Sequence, residues 1–345
     1  MHRINRNWFA RIAFAGMLLL GAAAGARAAD GATVAQIKAR GVLRCGVGEN
    51  VPGFAARNAA GAWAGLDADF CRAVAAAVLG SPDHVAFVPL RPTQRIPALA
   101  EGVVDMLSAH ASWTLERESA LGLQFAGILY YDAQALMVRA SDPVASATDL
   151  KGASVCVQEG TSSAGHLRRW AAANQLELQP LVLASAADVR AAFFSGRCRA
   201  WTSDASQLAV ARSSAPGGAQ GWTILAWDIA EEPLGPAVRE GDAAWLALVR
   251  WVLVALVSAE QLGLTRENLS QREREAAVRT ALMPDTEVDR SLGVAPGWML
   301  RAVAAVGNYG EIFERNLGSH SPFDIGRGRN RLWTQGGLMY APPTR

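Results

Sequence analysis

The chain has 345 residues, a formal charge of +2 at neutral pH and a pI near 8.5. A charge this mild, with Lys and Arg dispersed along the chain, excludes the basic surface that nucleic acid requires and leaves small solutes as the better partners. At ~100–200 residues per domain the length allows two domains, each able to bury its own core.

The chain opens with Arg3, Arg6 and Arg11, continues in an uncharged apolar run over 12–20, and reaches Ala26-Arg27-Ala28, a small-x-small site. This order predicts a secretory leader over 1–28, cleaved on export, and a periplasmic location. A membrane anchor is the competing reading, but the apolar run falls short of the ~20 residues that span a bilayer. A short helix is then expected over 34–40 and a buried strand over 42–47 that ends in a Gly-rich turn. Phe70, Val74, Ala77 and Val78 recur at three- and four-residue intervals and predict a helix over 67–79. A strand over 85–90 follows, then a helix capped by Thr93 and carrying Ile96 and Leu99, then a strand over 103–107. Such alternation predicts an α/β fold with a largely parallel sheet.

The pattern starts again after a strand at 136–138. Strands are expected over 153–157, 181–183 and 200–202, and helices over 163–174 and 186–195, so a second α/β unit lies inside the chain. A strand over 235–238 follows, and Asp242 caps a long helix through Trp245, Leu248, Val249, Val252 and Leu256. Arg250 interrupts this helix, which favours burial between domains over a membrane span. The tail carries a helix over 298–306 and then a Gly-, Arg- and Pro-containing stretch; no tandem repeat is visible.

Export to an oxidising compartment changes how Cys45, Cys71, Cys156 and Cys198 are read. None of their spacings matches the C-x2-4-C pairs of metal sites, so no metal and two disulfides are expected. Three connectivities are open; pairing within each of two lobes gives Cys45–Cys71 and Cys156–Cys198.

Three stretches carry chemistry. In 108–117, directly after a strand end, the hydroxyls of Ser112 and Thr114 and Arg117 are well placed for a carboxylate in the crevice of an open α/β sheet, since the Arg fork matches two oxygens. The plainer reading makes Thr114 a helix cap and Arg117 part of a solvated face. Glu159-Gly160-Thr161-Ser162-Ser163 joins a strand to a helix, and free N–H groups there attract an anion, although Ser and Thr cap helices without any ligand. Asp204, after the third strand of the second unit, suits an ammonium group or simply starts a helix. Together the three supply an anion clamp and a cation partner, which is what a free α-amino acid needs.

The chain resembles the general L-amino-acid binding proteins of bacterial ABC importers, solute-binding protein family 3. The resemblance rests on Gly61-Ala62-Trp63-Ala64-Gly65-Leu66-Asp67, Trp113-Thr114-Leu115-Glu116-Arg117, Val155-Cys156-Val157-Gln158 with Gly160-Thr161, and Gly196-Arg197-Cys198. It extends through Glu232-Pro233-Leu234-Gly235-Pro236-Ala237-Val238-Arg239, Gly307-Asn308-Tyr309-Gly310-Glu311 and Tyr340-Ala341-Pro342-Pro343, and the cysteine positions agree with it. It implies a two-lobed periplasmic-binding-protein fold of type II, with lobe one over 29–138 and 235–345, lobe two over 139–234, and two crossover strands as the hinge. It further implies that Arg117 and Ser112 hold the ligand carboxylate with Thr161 and Ser162, that Asp204 takes the α-ammonium, and that the partners are an amino acid and membrane permease subunits. A monomer without cofactor is expected.

The chain departs from this family at Ala109-His110, where relatives often carry Arg-Asn, and at Glu159, where they carry a small residue. His110 and Glu159 are therefore candidates for selecting the ligand side chain; the bland alternatives are a packed histidine and a solvated loop acid. The main rival function is a periplasmic enzyme on the same scaffold, similar to the cyclohexadienyl dehydratases, for which only His110 and Glu159 are plausible acids or bases. Gly46-Val47-Gly48 lacks the third glycine of a dinucleotide turn, and no Gly-x-Ser-x-Gly elbow, His-Glu-x-x-His helix or P-loop is present. A sensory or scaffold module is a third class, but no membrane segment follows the leader.

Overall fold

The computed structural model describes residues 31–344, so the expected leader over 1–28 lies outside the described residues. Helix α1 (Ala32–Arg40) ends on Gly41 at φ +72°, the left-handed position that glycine reaches without a Cβ penalty. Strands β1 (Leu43–Gly48), β2 (Ala56–Arg57) and β3 (Trp63–Ala64) precede α2 (Leu66–Leu79), followed by β4 (Val85–Leu90), α3 (Pro92–Ala100), β5 (Met106–Leu107), α4 (Leu115–Ser119), β6 (Leu123–Phe125) and β7 (Tyr130–Arg139). The second unit contains β8 (Ser154–Gln158), α5 (Ser162–Ala173), β9 (Gln179–Leu183), α6 (Ala186–Phe194), β10 (Ala200–Asp204), α7 (Ala205–Ser213) and β11 (Trp222–Ile224). The chain returns through β12 (Ala230–Leu234) and β13 (Ala237–Arg239) to α8 (Ala243–Gln261).

Two sheets result. The first has order β4-β1-β5-β13-β6, and the second β11-β7-β10-β8-β9 with β12 also paired to β7. Parallel pairs form the β4-β1-β5 and β10-β8-β9 halves, and β7 and β13 run antiparallel to their neighbours. Strands β7 and β12 pair from Tyr130 with Leu234 to Gln134 with Ala230, and they are the two connections between the units.

Several boundaries differ from expectation. Helix α3 begins at Pro92, not behind a Thr93 cap, because proline at the first helical position has no N–H to leave unsatisfied. The strand expected over 103–107 shrinks to β5, since Asp105 turns inward to accept from Arg40 and Arg44 and Val103 is exposed. Strand β7 reaches ten residues because it pairs with three strands.

Helix α8 is long and apolar enough to cross a membrane, but Trp245, Leu248, Val252 and Leu256 lie in the core of the first unit with α2 and the helix Trp298–Val306. It is buried within one lobe, not between two, because a helix apolar nearly all round satisfies itself by packing on other helices. A separate core under the second sheet gathers Phe193, Trp201 and Trp222 around Cys156 and Cys198. Disulfides join Cys45 to Cys71 and Cys156 to Cys198, one under each sheet. The tail reaches back to the crossover: Asn330 Oδ1 accepts from Tyr131 N at 2.7 Å, and Asn330 Nδ2 donates to Tyr131 O at 3.0 Å.

Candidate functional site

Past the end of β5 the chain cannot continue as a strand. His110 takes a left-handed φ of +52°, and Ser108 Oγ donates to the buried Asp67 Oδ1 at 2.7 Å. Thr114 then caps α4 by accepting from Arg117 N, so the plainer reading of Thr114 holds. The same turn folds the Arg117 side chain back, where Nη1 donates to Ser112 O at 2.8 Å, and Arg117 lines the cavity. Burial, with Glu232 and Asp204 opposing it, lowers the Arg117 pKa. Arginine keeps its charge under such a shift.

From the second unit, Thr161 precedes α5 and donates its Oγ1 to Gln158 O, leaving the first-turn N–H groups without a side-chain cap. Ser162 Oγ lies 3.1 Å from Ser112 Oγ and donates to Glu232 Oε1 at 2.9 Å. Asp204 is both the last residue of β10 and the N-cap position of α7, with no side-chain cap bond. Its Oδ2 stands 2.6 Å from His110 Nε2. Contacts across the cleft therefore come from three places, since a Cβ on Gly160 would also lie 2.6 Å from Thr93.

These residues enclose one cavity of about 420 Å³. His110, Ser112 and Arg117 line it from the first unit and Thr161, Ser162 and Asp204 from the second. Glu159 is exposed and lies outside the lining, and its N–H donates to Leu183 O.

Sequence reasoning missed Glu49, Arg91, Arg95 and Arg190 in the lining, and Asp132, Glu232 and His166 packed against the lining residues. Arg95 lines the cavity beside Arg117, and burial together with that neighbour lowers its pKa to about 10. Its Nε has no hydrogen-bond partner among the described residues. A signal existed: Arg95 is four residues before the buried Leu99, so the helical period sets a charge in the apolar stripe. Asp132, on β7, accepts from Ala133 N at 2.8 Å and Ser206 Oγ at 2.5 Å, and burial and then Asp204 push its carboxyl up to about 7. Burial alone would raise the Glu232 carboxyl, but hydrogen bonds with His166, Ser112 and Ser162 hold it below the usual range. Neither acid had a sequence signal, because β7 and β12 pair Asp132 with Glu232 across 100 positions, and His166 on α5 meets Glu232 only through that arrangement.

His110, Asp132 and Asp204 form the one His and carboxylate cluster found among the described residues. It does not fit a metal. Ligands on a tetrahedral ion at ~2.0 Å stand roughly 3.3 Å apart, whereas His110 and Asp204 are 2.6 Å apart and both Asp132 oxygens already accept hydrogen bonds. Anionic and cationic walls facing one cavity suit a zwitterion instead.

Residues 43–267 match the family model of bacterial extracellular solute-binding proteins, family 3. The chain belongs to that family. Over 327 residues it is 42% identical to the general L-amino acid-binding periplasmic protein AapJ of Rhizobium johnstonii, covering 94% of this chain and 96% of that protein. It is 43% identical over 336 residues to the glutamate/glutamine/aspartate/asparagine-binding protein BztA of Rhodobacter capsulatus, covering 96% and 99%. An ABC transporter periplasmic binding protein from Brucella ovis, solved with glutathione bound, superposes with a TM-score of 0.86 at 41% identity, covering 92% of this chain and all of that one. This family 3 chain thus shares the two-lobed fold of relatives named as binding proteins, and the lyase alternative has no counterpart among them.

Proposed function

We propose that this protein captures L-amino acids in the periplasm between two closing lobes and delivers them, as a monomer, to the permease subunits of an ABC importer. The lobes are 29–138 with 235–345, and 139–234, hinged on β7 and β12. The observation that carries the reading is one cavity with Arg117 and Ser112 on one wall and Ser162 and Asp204 on the other. A carboxylate fits the guanidinium and hydroxyls, and an ammonium fits Asp204, so both lobes are needed to hold one ligand. The names of AapJ and BztA support the same ligand class. The further arginines Arg95 and Arg190 in the lining, with the glutathione of the Brucella ovis structure, favour a second reading in which γ-glutamyl peptides also enter.

A thermal-shift screen of the twenty amino acids and glutathione identifies the ligand, since binding to the folded state alone raises stability. Titration calorimetry then tests the clamp. Truncating one partner of a buried charge pair costs about 2–5 kcal/mol, so Arg117→Ala and Asp204→Ala each weaken binding at least roughly thirty-fold. The exposed Arg168→Ala leaves affinity unchanged. Near-wild-type affinity in either cleft variant sinks the clamp.

A further inference from the structure

The cavity is lined by a histidine that the clamp does not use. His110 is buried, its ring packs edge-on to Phe54 at 4.1 Å, and its Nε2 is 2.6 Å from Asp204 Oδ2. The backbone at φ +52° is in the left-handed region, which histidine enters more readily than most side chains, as asparagine and aspartate do. His110 belongs to the first unit and Asp204 to the second, so this contact spans the cleft at the carboxylate assigned to the ligand ammonium.

Every charged group facing the imidazole can be named. Asp204 comes from the end of β10, Asp132 from β7, and Asp67 from α2; Arg95, from α3, reaches His110 O with Nη1 at 3.4 Å. Tyr130 is neutral and packs on Phe54. Three carboxylates thus surround one imidazole, with Arg95 and Arg117 behind them.

We infer that His110 is the resident cation of the ammonium subsite: it occupies Asp204 when the lobes meet on an empty cleft, and an α-ammonium bound at Asp204 displaces it with release of the imidazolium proton to solvent. The inference rests on the amino-acid reading above. Burial disfavours the charged ring, but Asp204, Asp132 and Asp67 outweigh it and raise the His110 pKa. An ammonium at Asp204 then sets a like charge beside the imidazolium, which favours its neutral form. Asp132 responds in the same direction, because the same ammonium favours its ionised form. A ligand-free state that holds more protons than the bound state binds more tightly as pH rises, by about tenfold per pH unit for each proton released.

The test uses the mature protein and two probes whose side chains do not titrate, L-glutamine and L-alanine. NMR titration of the His110 ring, assigned by its loss in His110→Asn, should find it protonated at pH 6.5 without ligand and neutral with ligand. Calorimetry in buffers of different ionisation enthalpy should count a proton released by the wild type and fewer by His110→Asn, whose affinity gain from pH 6 to 7.5 is smaller by about tenfold. A neutral ring in the ligand-free protein, a ring unchanged by ligand, or equal proton release in the Asn variant overturns the inference. That last result would assign the proton to Asp132. If neither probe binds and no amino acid shifts the melting temperature, the amino-acid reading itself falls.

Discussion

Asp132 and Asp204 set two buried carboxylates beside each other on adjacent strands, and the sequence gives no hint of it because 72 positions separate them. The raised Asp132 pKa has a stability consequence. A carboxyl at about 7 in the folded protein, against 3.8 as its ordinary value, stabilises the fold fully below about pH 4 and loses that contribution as pH rises through about 7. Asp132→Asn removes the charge while keeping an acceptor for Ser206 or Ala133. It should melt at least about 2 °C above the wild type at pH 8, with a smaller difference at pH 5. Thermal melts at the two pH values decide this, and a variant equally displaced at both refutes the charge argument. At this scale the legible residues were those beside a strand end: His110, Ser112, Arg117, Thr161, Ser162 and Asp204 all line one cavity, whereas Glu159, in the same kind of turn, faces solvent. A loop position says that a side chain is near the crevice; the direction it takes depends on the turn's backbone.

Elements were readable where a period governs them and less so where a single contact does. The strand–helix alternation placed both sheets, but the crossover is tight for a reason absent from local pattern. A Cβ added to Gly235, between β12 and β13, would meet Gly127 O at 2.0 Å, because the two crossing segments pass with backbone against backbone. Gly235→Ala must push them apart, and overpacking of this kind costs ~1–3 kcal/mol. Gly221, with no atom within 4 Å of its added Cβ, is the control: Gly221→Ala should leave stability unchanged or raise it by up to ~1 kcal/mol. Denaturant melts check both, and equal effects at the two glycines would refute the close-crossing account.

The whole molecule is stapled lobe by lobe. The disulfides close loops of 26 and 42 residues, and neither joins one sheet to the other, so the covalent connection between the sheets runs through β7 and β12. By the chain-entropy account each contributes about 3–4 kcal/mol. Replacing Cys45 and Cys71 together by Ser should lower stability by about that amount in denaturant melts, while ligand affinity at 25 °C stays near wild type, because neither cysteine lines the cavity. A large affinity loss would mean that the disulfide also shapes the cavity. The sequence by itself determined the α/β class, the two-by-two division of the cysteines and the strand-end turns that hold the cavity residues, since period, spacing and turn chemistry are local properties. Only the tertiary structure decided that α8 is buried within one lobe and that Arg95, Asp132, Glu232 and His166 join the site. It alone set His110 against Asp204. Those outcomes depend on which distant strands pair and how two lobes meet, and a buried charge takes its meaning from neighbours that the chain order does not reveal.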